Sequence, residues 1–450
     1  MITIHDLTGL NATSISAMPI IADQDEMKTY LTDHDDTQKL SIAGSRHSQG
    51  GQATCSNGAM LITELMNRIT EINTTDNTVT VEAGATWSEV HHHLNQFGLA
   101  PLVHQSSPGF SVGGSLSVNC HGRDARKGPL SSTVKSLKLL LPNGDITTVT
   151  PADELCRAVL GGYGSCAVIL EATLHVGRND LLRQDAKLIS LEDYQKKIVD
   201  RDNTSTWPDM HYAWLSFDPD ELYDEVLSVD YVNTLQSAAS NEKLDIEKWA
   251  TGEFTSKAWA VSRQSAGARS KLWQLVKAIY PGDHTIKSRM NWMRSAISFV
   301  LHKGVNETDM LQEYFVPLRE FLPFVKKLKS LYQETNTVSV LSTTLRIVQP
   351  EKTDHTTILS YCPKESMVCV AVDLNVKVSG GAPDPSAISC FNKAIQLAIA
   401  AGGSYYLPYY RAADRALFQE AYPNHASLTS VIAAHNPNRK LNNDFLNAYL

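Results

Sequence analysis

The residues best suited to chemistry lie in three glycine-rich stretches. The first, Ala43-Gly44-Ser45-Arg46-His47-Ser48-Gln49-Gly50-Gly51, follows the apolar run Leu40-Ser41-Ile42. A strand running into such a loop brings bare backbone close to a ligand, and small residues let N–H groups converge on phosphate oxygens. An imidazole standing among those groups, His47, is placed as a nucleophile or a hydrogen-bonding partner. The second stretch runs from Gln105 to Gly122 and contains Pro108-Gly109-Phe110-Ser111-Val112-Gly113-Gly114 and Asn119-Cys120-His121-Gly122. Its hydroxyls and amides alternate with small residues, which suits it to lie against a large planar ligand. The third, Leu160-Gly161-Gly162-Tyr163-Gly164-Ser165, leads into the apolar run Ala167 to Leu170. Three strand-linked glycine loops fit an extended dinucleotide better than one phosphate. None has the spaced GxGxxG of a nicotinamide-binding unit, so NAD(P) is disfavoured.

The elements that must position these loops follow from periodicity. Thr78 to Glu82 alternates apolar and polar residues and reads as a strand. Trp87 to Phe97 has helical character and stops at Gly98. Val134 to Leu141 and Ile146 to Val149 flank Pro142-Asn143-Gly144-Asp145, a strong hairpin signal. Ala167 to Val176 is a further strand. Beyond about residue 180 the chain becomes richer in charge, Trp and Tyr. A helix is expected over Ser256 to Tyr280, a strand over Glu313 to Pro317 and a helix from near Pro323. In Leu341 to Val348, Ser342, Thr344 and Arg346 share one face. In Val368 to Val376, Cys369, Ala371, Asp373 and Asn375 lie opposite an all-apolar face. One-sided alternation places one face on a core and the other against water or a ligand. A helix over Ala387 to Ala401 ends at Gly402, and the tyrosines 405, 406, 409 and 410 follow.

Composition narrows the class. The 450 residues exceed one ordinary core, so several packed units are expected. The formal net charge is −8, with no long basic run, which argues against nucleic acid as the main partner. No apolar run is long enough to span a membrane, and no signal peptide is visible at the N-terminus. The seven cysteines form no CxxC pair and fit reduced thiols, so a cytoplasmic location is expected. His91-His92-His93 cannot all face one ion on a helix and is expected on a solvated face, so no metal site is assigned.

The order GxRHS, PGFSVGGSLSxNxHG and GGYGS(x)3IxExTL resembles that of the vanillyl-alcohol-oxidase-type flavoproteins, whose FAD-binding unit is of the PCMH type. The resemblance covers residues from about 15 to 177. It implies an α+β chain: a two-subdomain FAD-binding unit over 1–177, then an α+β cap over 178–400 with a mixed or antiparallel sheet. A C-terminal segment, 401–450, would return to the first unit. Under this resemblance Gly44, Ser45, Arg46, His47, Ser48 and Gly50 form the pyrophosphate loop, and His47 is placed to bond the flavin 8α-methyl. Ser111, Gly113, Gly114, Ser117, Asn119, His121 and Gly122 line the FAD, while Gly162, Gly164 and Ile169 hold its adenine half. Arg346 matches an arginine that lies beside substrate and flavin in alditol oxidases, although Thr344 stands where those enzymes have a glutamate. Their lysine motif is replaced by the tyrosines around Tyr406 and Tyr409.

The implied activity is oxidation of a CH–OH group of a sugar, polyol or sugar derivative, with hydride passing to flavin N5. The partners are a small hydroxyl substrate and an electron acceptor, O2 or another. Arg346 is the candidate for charge stabilisation and Asp373, Tyr406 or a water for the base, with Tyr409 also expected in the catalytic site. Two alternatives stay open: the oxidase subunit of a two-enzyme epimerase on an activated or lipid-linked sugar, and a catalytically silent flavin-binding protein. Cys120, where a glycine would leave more room, is expected to narrow oxygen access and favour a dehydrogenase.

Overall fold

Two antiparallel sheets and the loops between them build the site. The computed structural model describes residues 1–34, 37–245, 260–263, 265–294 and 304–450. The first large sheet has six strands. Five run in the order Ile69–Asn73, Thr78–Glu82, Val168–Arg178, Val134–Leu140, Ile146–Val149, and Leu99–Pro101 also pairs with Val168–Arg178. The Asn143-Gly144 turn closes its hairpin, with Leu140 opposite Ile146 and Gly144 at φ +86°, a conformation that Asn-Gly turns favour. Trp87–Asn95 starts at a capping box between Thr86 and Glu89 and buries Trp87, Val90 and Leu94 on one face. Gly98, at φ +65°, follows it.

The first glycine loop hangs from a separate parallel pair, Leu40–Ala43 with Ala59–Ile62. The C-terminal segment packs back onto this region. Leu40 N donates to Lys440 O, and the Asn436 and Asn443 amides donate to the carbonyls of Ser165 and Tyr163 in the third loop.

The second large sheet has nine strands. Its main path is Ile286–Ser288, Asp180–Ser190, Glu225–Ser237, Met210–Leu215, Val338–Val348, Met367–Ser379, Glu307–Pro317, Ser404–Tyr405. One face is covered by helices. Phe321–Gln333 presents Phe321, Phe324, Val325, Leu328 and Tyr332 at helical spacing, and Pro385–Ala400 adds Phe391, Ala394, Ile395 and Ala398. Val368, Val370, Val372, Leu374 and Val376 meet them from the sheet. Of the helix expected over Ser256 to Tyr280, Ala266–Ile279 is observed; residues 256–259 and 264 lie outside the described residues.

The opposite face of this sheet departs from expectation. Cys369, Ala371, Asp373 and Asn375 are all buried, so alternation here does not mean a wet face. Phe315, Met367, Cys369 and Ala371 pack with Tyr361 and Tyr406, and Val118 of the second glycine block packs against that cluster. The polar side chains of the strands on this face are therefore buried under loop residues rather than wet. The described residues contain no helix long and apolar enough to cross a membrane.

Candidate active site

A cleft runs between the three glycine loops and the C-terminal tyrosines. Gly44 to Ser48 form one wall, Ser111, Gly113, Gly114 and Ser117 a second, and Tyr163, Gly164 and Ile169 a third. Tyr406, Pro408 and Tyr409 close the far end. The second stretch does not lie flat. It turns at Ser111, whose hydroxyl caps the short helix Val112–Ser117 by accepting from Gly114 N. The same hydroxyl accepts from Ser45 N, and a Cβ on Gly44 would sit 2.0 Å from it. Two loops distant in sequence thus touch backbone to side chain, which only glycine at position 44 permits.

Arg46 adopts φ +54°, the left-handed turn that lets successive N–H groups face one concavity. Among the described residues the N–H groups of Arg46, His47 and Ser48 have no partner. His47 sits edge-on to Phe110 at 4.2 Å between ring centroids, and its Nδ1 is buried without a partner. Burial, then the charge of Arg46, pulls its pKa down to about 4, so the imidazole is neutral and its lone pair available. Gly164, at φ +71°, has open space where a Cβ would project. Unpartnered N–H groups, an unpartnered imidazole nitrogen and an open glycine fit the phosphates and ring system of FAD.

Five positions expected to line the FAD do not line this cleft: Gly50, Asn119, His121, Gly122 and Gly162. Three of these glycines serve close packing, since a Cβ would meet Tyr409 O at 2.6 Å from Gly50, His104 O at 3.0 Å from Gly122 and Ala158 O at 1.9 Å from Gly162. Asn119, at φ +47°, spends its amide on Glu351, Thr357 and Ser131 N. Cys120 is fully buried and absent from the cleft wall, so its thiol does not narrow it. Of the three consecutive histidines, His92 and His93 are exposed. His91 is instead buried, its Nε2 3.0 Å from that of His104.

Beyond the tyrosine wall lies a buried polar cluster that the sequence reading missed. Glu313, 2% exposed, accepts from His121 Nε2 at 2.6 Å and from Cys369 Sγ on one oxygen, and from the Tyr409 hydroxyl at 2.8 Å on the other. Burial pushes its carboxyl up, but His121 and then Arg346 outweigh that and hold it down to about 2. The ligand atoms of His121, Glu313 and Cys369 lie within 4.8 Å of one another. In this structure they bond to one another, His121 Nε2 and Cys369 Sγ both donating to Glu313 Oε1.

Arg346 sits across the strand pair from Cys369 and donates through Nη2 to Ser106 Oγ at 2.7 Å. Its Nε is buried without a partner, and its guanidinium lies 5.9 Å from the Tyr212 ring centroid. Burial disfavours its charge, yet Cys369 and Glu313 more than offset this. Tyr406 donates to Val118 O at 3.3 Å, which holds it as part of the wall. Asp373 accepts from Ser342 Oγ at 2.6 Å and leaves Oδ1 unpartnered. Neither Arg346 nor Asp373 lines the cleft itself.

Burial, reinforced by Asp309, pushes the Asp373 carboxyl from 3.8 up to about 7, against the Ser342 hydrogen bond and Arg346. The folded protein therefore holds a proton that the unfolded chain has lost in between, and this group's contribution to stability falls as pH rises through that window. Asp373→Asn cannot ionise. Its melting temperature relative to the native protein is expected to rise between pH ~5 and ~8. Parallel melting curves across that range would show that Asp373 ionises normally.

Part of the N-terminal region has known relatives. Residues 21–150 match the FAD binding domain family. The chain is 34% identical over 142 residues to a mitochondrial D-lactate dehydrogenase [cytochrome] of Arabidopsis thaliana, covering 30% of this chain and 25% of that protein. It is 29% identical over 229 residues to L-galactono-1,4-lactone dehydrogenase 2 of Oryza sativa subsp. japonica, covering 50% and 35%. It is 27% identical over 117 residues to an alditol oxidase of a Streptomyces species, covering 26% and 28%. The chain thus spans about a third or less of these relatives' own length. The matched segment holds the first glycine loop and all of the second, and over it the chain resembles these FAD-dependent dehydrogenases and oxidases.

Proposed function

We propose that the chain is an FAD-dependent oxidoreductase that oxidises a CH–OH group of a sugar, polyol or sugar derivative. The observation that carries this reading is the junction of the glycine-loop cleft, at Tyr406 and Tyr409, with a buried set of one guanidinium and two carboxyls. FAD, when bound, supplies the two-electron acceptor. Gly44 to Ser48, Ser111, Gly113, Gly114 and Ser117 hold it, with Gly164 and Ile169 toward the adenine end. Arg346 stays charged in a dry setting and favours the negative charge that develops as the hydroxyl proton leaves. Tyr406 shapes the end of the cleft. Asp373, protonated below about 7, is able to accept a proton only above that value. The relatives named for lactones and alditols support a polyhydroxylated substrate. Seven free, buried cysteines suit a reducing compartment.

Anaerobic mixing of the holoprotein with polyols, aldonolactones and free or activated sugars tests this reading. Bleaching of the flavin absorbance by one of these classes is expected. A flavin that dithionite reduces and none of them does would favour a flavin-binding protein without this activity.

The neutral His47 imidazole, with one nitrogen unpartnered, is in the state required to attack the flavin 8α-methyl. We expect the denatured native protein to keep yellow colour and in-gel fluorescence after acid precipitation, and His47→Ala to lose both. Release of all flavin from the native protein would show that His47 only hydrogen-bonds.

A further inference from the structure

We propose that Tyr409 and the Glu313–His121 pair form a buried relay that takes the hydroxyl proton of the substrate; this rests on the CH–OH oxidation proposed above. Three side chains from distant parts of the chain converge on the carboxylate of a fourth, Glu313. His121 comes from the second glycine block, Glu313 and Cys369 from adjacent strands, and Tyr409 from the C-terminal segment. Burying an acid this deeply is costly, and an apolar residue would serve packing as well. Only Tyr409 of the four lines the cleft. A proton leaving a ligand there reaches Glu313 through the phenol.

The chemistry favours a concerted transfer. Burial, together with Glu313, raises the Tyr409 pKa well above its ordinary value, so a tyrosinate is not a resting state. The phenol can accept the substrate proton only if it passes its own on in the same step. Glu313 Oε2, ionised and already hydrogen-bonded to that phenol, is the recipient. The bookkeeping closes. The substrate C–H bond breaks with its electron pair going to the flavin, and the substrate O–H bond breaks with its proton going to Tyr409 Oη. The Tyr409 proton moves to Glu313, and a C=O bond forms. His121 acts as a positioning residue. Its Nε2 bond to Oε1 leaves Oε2 free to face Tyr409, and its Nδ1, buried without a partner, adds no competing contact.

The test uses Tyr409→Phe, Glu313→Gln and the double variant as holoproteins. Flavin content and melting temperature confirm folding. In anaerobic single turnover, each single variant is expected to bleach about 10²-fold more slowly, within the usual range for proton-transfer catalysis. The double variant is expected to be no slower than either single, because both lie on one path. A solvent deuterium effect is expected in the native protein and is expected to vanish in Tyr409→Phe. Independently of turnover, the infrared carboxylate band removed by Glu313→Gln is expected to shift in Tyr409→Phe. Native-rate bleaching or an unshifted band in Tyr409→Phe would overturn the relay alone. A native holoprotein that no hydroxyl compound bleaches would overturn the underlying oxidation reading as well.

Discussion

Arg346→Met is expected to slow anaerobic flavin bleaching by about 10²–10³-fold while leaving FAD bound, as removal of one preorganised charge does in dry sites. Arg346 does not line the cleft that the glycine loops form, so its loss should spare cofactor retention. Its guanidinium is held by Ser106 and balanced by Glu313, and burial keeps water from replacing it. Methionine fills similar volume without charge, leaving Glu313 buried with its hydrogen bonds from His121, Cys369 and Tyr409. Arg346→Lys is not expected to restore the rate, because a point charge cannot reproduce the planar fork that reaches Ser106. A variant that bleaches at the native rate would remove Arg346 from the reaction.

Gly44→Val is expected to cost the protein its cofactor. The added Cβ would lie 2.0 Å from Ser111 Oγ and 3.0 Å from Ser111 Cβ, so the first two loops must part. Ser111 cannot simply rotate away, since its hydroxyl accepts from both Ser45 N and Gly114 N. Parting the loops removes the N–H concavity centred on Arg46 and displaces His47. FAD affinity is expected to fall by at least about 10²-fold, roughly 3 kcal/mol, with far-UV circular dichroism unchanged. Flavin per chain in the purified protein, read from its visible absorbance, should drop accordingly. Native flavin content in Gly44→Val would place the cofactor elsewhere.

The glycine loops were legible in the sequence because their chemistry is local: small residues, a turn and the strand before it are contiguous. The hairpin at Asn143-Gly144 and the helix starting at Thr86 were legible for the same reason. Glu313 was not. Its partners stand 192, 96 and 56 residues away, and it sits in a strand of Met310, Tyr314, Phe315 and Val316. The available signal was a carboxylate inside an apolar run, which burial makes meaningful only when donors are known to arrive. Asn119 failed in the opposite way. Its place between glycine-block residues suggested a ligand contact, while the fold turns its amide toward Glu351 and Ser131. The strand Met367–Ser379 alternates as a half-wet strand would, yet Tyr361, Tyr406 and Val118 pack over its other face. Alternation reports two different faces, not which of them meets water.

The most direct test of hydroxyl oxidation in this cleft is anaerobic stopped-flow reduction of the bound flavin by a substrate deuterated at the carbinol carbon. Bleaching in one phase, slowed several-fold by that deuterium, is the outcome the account requires. Bleaching indifferent to the label, or none with any polyol, aldonolactone or sugar, would contradict it.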